Sequence, residues 1–167
     1  MFVENDTDEL RRLRRNVIDM LFVEGNHFCM FCEKSGACEL QALAYRFGIT
    51  APKYPFQFPT RNLDATHPSI LIDRNRCILC SRCVRASQEW DGKHVFDFAG
   101  RGHDKRLAVD AERGLGGTEA AAGDRALSAC PTGSLLIKRI GFAVPVGRRR
   151  FDSVPIGSDV EKRAGGK

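Results

Sequence analysis

Seven cysteines and one nearby histidine divide into two sets of four, and that division constrains the chain more than any other feature of its 167 residues. The first set is His27-x-Cys29-x-x-Cys32-x5-Cys38. The second is Cys77-x-x-Cys80-x-x-Cys83, completed far downstream by Cys130, which precedes Pro131. A disulfide framework would leave one thiol over. With His27 counted, eight ligands make two complete sets with none to spare. The first ten residues are acidic and polar, without the basic start and apolar run of a secretory signal. No apolar stretch approaches the roughly 20 residues that span a bilayer. The expected location is therefore cytoplasmic, a reducing compartment where cysteines bind metals rather than each other.

The spacing of the second set indicates which metal. Iron in a sulfide cluster is thiophilic, and a cube of four irons and four sulfides offers one iron corner to each of four ligands. Three cysteines in consecutive C-x-x-C steps wrap three corners from one tight loop, and the fourth corner is reached from a remote segment. In the bacterial ferredoxin run C-x2-C-x2-C-x3-C-P the last cysteine serves a second cluster. Ser87 stands at that place here, and Cys130–Pro131 supplies a cysteine–proline pair from a distance, so this half is expected to hold one [4Fe–4S] cluster. Zinc sites use two knuckles of two ligands each, which this run does not resemble. The first set is less specific, because three cysteines and a histidine also satisfy zinc. If His27 binds iron, a neutral imidazole replaces a thiolate, and the lost negative charge favours the reduced state. His67, His94 and His103 lack such neighbours and read as structural. Small residues beside the ligands (Gly36, Ala37, Ser81, Thr132, Gly133) let backbone N–H groups approach the sulfurs.

Around these loops the pattern is α+β. Residues 6–24 read as a helix capped by Asp6 or Thr7, with an apolar face of Leu10, Leu13, Val17, Met20 and Leu21. A short helix is expected from Glu39 to Phe47. Pro52, Pro55 and Pro59 then predict an extended arm whose Tyr54, Phe56 and Phe58 cover something apolar. Strands are expected at Ile70–Ile72, Val95–Phe98, Leu107–Val109 and Leu135–Ile137. Helices are expected after Cys77 and from Thr118 to Ala129. The organisation predicted is an N-terminal helix with a histidine/three-cysteine module over residues 1–62, a ferredoxin-like unit over 63–142 and an irregular basic tail over 143–167 ending in a disordered Ala164–Lys167. The net charge of +5 includes basic runs at Arg11–Arg15 and Arg148–Arg150. No aromatics are interleaved with them to stack bases, so they read as solvated or partner-docking surfaces. Gly114-Leu115-Gly116-Gly117-Thr118-Glu119 lacks the third glycine of a dinucleotide loop. No nucleophile–base pair stands out.

The run Gly25-Asn26-His27-Phe28-Cys29 through Gly36, Cys38 and Gln41, the run Asp73-Arg74-x-Arg76-Cys77-Ile78-x-Cys80-x-Arg82-Cys83-Val84, and Cys130-Pro131-x-Gly133 together resemble the small diaphorase (gamma) subunit of NAD-reducing soluble [NiFe] hydrogenases. That subunit is related to the start of the large peripheral iron–sulfur subunit of complex I and to parts of NAD-dependent formate dehydrogenases. The single residue between His27 and Cys29 is similar to the soluble hydrogenase and formate dehydrogenase versions. The resemblance implies that His27, Cys29, Cys32 and Cys38 hold one [4Fe–4S] cluster and that Cys77, Cys80, Cys83 and Cys130 hold another. It implies electron relay between an NAD(H)/flavin subunit and a hydrogenase catalytic module, or the equivalent place in a formate dehydrogenase or complex I-like assembly. Family members begin with a plant-type [2Fe–2S] domain built on C-x4-C-x2-C, which this sequence does not contain. Another chain supplies that centre, the relay bypasses it, or the start is truncated. A function of another class is a zinc-stabilised nucleic-acid-binding or scaffold module.

Overall fold

The structure, a computed structural model, describes residues 1–159; the expected disorder of Ala164–Lys167 lies outside them. The first helix, α1, spans Asp8–Glu24. Thr7 caps it, its hydroxyl accepting from Leu10 N at 3.2 Å, and Asp8 and Glu9 place negative charge against the positive end of the helix dipole. The buried face is not the expected one. Ile18, Phe22 and Val23 face the core, whereas Leu13, Val17 and Met20 are 46%, 53% and 47% exposed. The cause is the second helix, α2 (Glu39–Arg46), which packs Leu40 and Ala44 against Ile18 and Phe22 and leaves the opposite stripe of α1 uncovered.

The proline arm is extended, as expected, and is anchored by Gln57 N donating to Val23 O at 2.9 Å. Its aromatics cover less than anticipated. Phe56 stacks on Phe28 (6.4 Å between centroids) and on Phe58 (5.4 Å), while Tyr54 and Phe58 remain exposed. Lys53 N reaches back to the buried carboxylate of Asp19 on α1.

The second half contains two small antiparallel sheets. The strand β2 (Ile70–Asp73) lies between β1 (Leu63–Asp64) and β5 (Leu135–Ile137), with Ile72 opposite Leu135 and Ile70 opposite Ile137. A hairpin pairs β3 (Phe96–Ala99) with β4 (Arg106–Val109), placing Phe98 opposite Leu107. Between β2 and β3 lies α3 (Arg82–Glu89), packed on α4 (Arg125–Ser128). Pairing the outer strands with each other and the inner strands as a hairpin is the ferredoxin-like arrangement, and the core fills from Ile70, Ile72, Leu107, Leu115, Ala126 and Leu135.

One expected helix is much shorter than its alanine content suggests. Only Arg125–Ser128 is helical, and residues 118–124 are not. Local polar groups compete for the backbone there: Thr118 Oγ1 accepts from Ala120 N at 3.2 Å, and Asp124 accepts from Ala121 N at 2.8 Å. The helix starts where Asp91 caps it from a distance, its two carboxylate oxygens each accepting at 2.9 Å from Arg125 N and Ala126 N. Residues 141–157 carry no strand or α-helix, in keeping with an irregular tail.

Ile72 has no exposed surface and meets both β5 and the α3/α4 layer. Replacing it with Ala should lower unfolding free energy by about 2–5 kcal/mol, read as a lower denaturant midpoint with an unchanged slope.

Candidate metal centres

All seven cysteines are free of disulfides. The structure gathers them as the spacing predicts. One small cavity is walled by Cys77, Cys80, Cys83 and Cys130 together with Phe98, Leu107, Thr132 and Ser134. A second is walled by His27, Cys29, Cys32 and Cys38 together with Phe22, Gln41, Arg76 and Gly133.

Each wall has a local reason. Leu79 and Ser81 both adopt left-handed backbone (φ 54° and 63°) between the cysteines of the second set. Such alternation gathers N–H groups around an anionic centre, and its strain is of the kind held at functional sites. Cys83 enters the first turn of α3, and Cys38 immediately precedes α2. The Cys38 loop is fastened by Gln41, whose side-chain oxygen accepts from Gly36 N at 2.7 Å while its amide donates to Ser35 at 3.1 Å. The C-terminal tail ties down the same loop. Phe151 N donates to Gly36 O at 2.9 Å, Arg149 packs against Gly36 and is paired to Asp152 at 2.8 Å, and Arg150 lies 3.9 Å from Glu39. Part of the second basic run is therefore used within the molecule. Ser87, at the place of the absent ferredoxin cysteine, is buried and accepts from Val95 N at 3.0 Å, supporting the start of β3 instead.

Electrostatics explain what the two cavities are suited to hold. Burial pushes the Cys38 thiol up to about 11 and the Cys83 thiol, which also faces Cys130, Cys77 and Cys80, up to about 12; Cys29 and Cys77 are raised for the same reason. Buried thiols of this kind lose their protons only to a cationic centre. Burial, aided by the positive charge of Arg76, lowers His27 to about 4. Its imidazole is therefore neutral at pH 7, the form that ligates metal. His27 Nε2 and Ser134 Oγ are buried without hydrogen-bond partners. Soft ligands spread around a cavity, with an orphaned imidazole nitrogen at one of them, fit a polynuclear iron–sulfide group.

His67 is structural, as expected, with Ser69 N donating to Nδ1 at 3.1 Å and Nε2 3.0 Å from Ala120 O. Arg76, Gln41 and Ser134 were not among the expected site residues. A basic residue directly before Cys77 is the one visible signal for Arg76; Gln41 and Ser134 acquire their roles only through folding.

Comparison with known proteins agrees with this geometry. Residues 14–53 match the NADH-ubiquinone oxidoreductase-G iron–sulfur binding region, and residues 67–136 match the ferredoxin-like domain of NADH-quinone oxidoreductase subunit 3. The crystal structure of an NAD+-reducing [NiFe]-hydrogenase in its H2-reduced state contains a chain that superposes with a TM-score of 0.86 at 50% identity, covering 90% of this chain and 64% of that one. The chain belongs to this family of iron–sulfur subunits. Its relatives include the NAD-reducing hydrogenase HoxS subunit gamma of Cupriavidus necator, 37% identical over 151 residues, again with 90% of this chain and 64% of the relative covered. NADH-quinone oxidoreductase subunit 3 of Thermus thermophilus is 33% identical over 116 residues, 61% of this chain and 15% of that protein. The chain thus spans just under two thirds of the hydrogenase relatives it matches. The matches indicate [4Fe–4S]-binding domains in this chain.

Two expectations follow. A Cβ at Gly133 would sit 2.7 Å from Cys32 Sγ and 3.3 Å from Arg76 Cδ, so Gly133→Ala should lower the iron bound per chain, measured against wild type prepared in parallel. The His27 ring takes no proton until about pH 4 when folded, whereas in the unfolded chain it does so near 6.5. Because the unfolded state binds the extra proton, stability falls as pH drops below about 6.5, by about 2 kcal/mol at pH 5. In metal-free protein the unfolding free energies from denaturant titrations at pH 7.5 and 5.0 should differ by that much more in wild type than in His27→Phe.

Proposed function

We propose that this chain is a non-catalytic electron-transfer subunit holding two [4Fe–4S] clusters. One is bound by His27, Cys29, Cys32 and Cys38, the other by Cys77, Cys80, Cys83 and Cys130. The observation that carries the reading is the pair of separate cavities, one lined by three cysteines and His27 and the other by four cysteines. Bound clusters supply one-electron storage, and two of them side by side make a relay.

The relay is proposed to run between an NAD(H)- and flavin-binding diaphorase subunit and a hydrogenase catalytic module in the cytoplasm. The names of the relatives, an NAD-reducing hydrogenase subunit above all, support that placement. The uncovered stripe of Leu13, Val17 and Met20 on α1, and the exposed Phe28, Met30 and Phe31 beside the first ligand set, support docking to other subunits. No helix among the described residues is long and apolar enough to cross a membrane. Residues 1–62 would form the histidine/cysteine module, 63–142 the ferredoxin-like module and 143–167 the tail.

Anaerobically purified protein should be brown and contain about eight irons and eight acid-labile sulfides per chain, with two reducible paramagnetic centres. His27→Ala should alter the spectrum of one centre and leave the other as it was. A colourless, zinc-loaded protein without labile sulfide would overturn the proposal.

A further inference from the structure

The two cavities are walled by adjoining residues of the same two segments, Arg76 and Gly133 on one side and Cys77 and Thr132 on the other. Arg76 Nη1 donates to Cys32 Sγ at 3.6 Å and to Glu33 at 2.9 Å, while its Nε is held by Asp73 at 2.9 Å. Its carbonyl accepts from Thr132 Oγ1 at 2.7 Å, and Thr132 lies beside Cys130 in the other cavity. Gly133 packs against both Arg76 and Cys32 Sγ, with no room for a side chain. The guanidinium side chain is only 20% exposed. Two carboxylates therefore clamp one cation onto one ligand sulfur.

Resting on the two-cluster reading, we infer that Arg76 is a positioning residue that raises the reduction potential of the His27-containing centre through Cys32. A donor to a cluster thiolate withdraws negative charge from it, and a fixed cation stabilises the extra electron of the reduced state. The paired carboxylates set how much of that charge is felt. Glu33, on the same Nη1 as Cys32, competes directly for the donor; Asp73 holds the other side of the guanidinium and fixes its aim. Electron flow between the two centres is thus biased toward the one that Cys32 serves. The electron arrives on and leaves from the cluster itself; Arg76 neither gains nor loses a proton in the step.

The test is a potentiometric titration of the intact, cluster-loaded chain, following the two paramagnetic signals separately. Iron and sulfide analysis of the wild type first establishes that both clusters are present, which tests the parent reading independently. Arg76→Gln should lower the reduced-to-oxidised ratio of the centre that His27→Ala also perturbs by about tenfold at fixed potential, equivalent to about 59 mV for a one-electron couple. The other centre should move less. Arg76→Lys should restore part of the shift by keeping the charge, and Glu33→Gln should shift the same signal in the opposite direction. If Arg76→Gln weakens cluster retention, the Arg76→Lys and Glu33→Gln pair decides the matter in loaded protein. Unmoved potentials, or equal shifts of both centres, would overturn the inference and leave Arg76 a purely structural clamp.

Discussion

A buried thiol surrounded by other sulfurs resists ionisation, and this chain is built around two groups of cysteines that include such thiols. Cys38 and Cys83 show the constraint most plainly, since burial and neighbouring sulfurs hold their protons in place to about pH 11 and 12. A multiply charged iron–sulfide centre bound there, as proposed above, would turn this arrangement from a cost into a tie of the fold. The rest of the architecture serves that end. The helix starts at α2 and α3, the left-handed residues at Leu79 and Ser81 and the fastening of the Cys38 loop by Gln41 all fix where ligand sulfurs stand.

The hydrophobic core is correspondingly small and is split in two. Ile18, Phe22, Leu40 and Ala44 pack beside the first ligand set, and Ile70, Ile72, Leu107 and Leu115 beside the second. In each case ligand cysteines belong to the apolar cluster themselves: Cys38 in one, Cys83 and Cys130 in the other. Packing and ligation are therefore not separable in this chain, and small modules of this size commonly depend on such metal staples.

Much of this was legible in the residues because the informative signals are local. The C-x-x-C steps, the Cys130–Pro131 pair, the cap at Thr7 and the four strand runs needed no knowledge of distant contacts, and the structure places each within a residue or two of expectation. What could not be read depends on partners remote in sequence. The buried face of α1 is chosen by α2, which no periodicity of α1 alone reveals. The alanine-rich segment after Thr118 stays irregular because hydroxyl and carboxylate side chains claim its N–H groups, and helix α4 begins only where Asp91, more than thirty residues upstream, reaches it. Arg76 looks like one more arginine until folding places it against Cys32.

The adjoining walls of the cavities also bear on the order in which such a protein is finished as it leaves the ribosome. The cavity of His27, Cys29, Cys32 and Cys38 has all its ligands within the first 38 residues, yet it is closed by Arg76 and Gly133, and its outer loop is held by Phe151. A nascent chain thus exposes the four ligands long before the enclosure around them exists. Enclosure of the early-made half therefore waits for the last-made half, and on the proposed ligand assignment a metal centre there would be closed in only after synthesis.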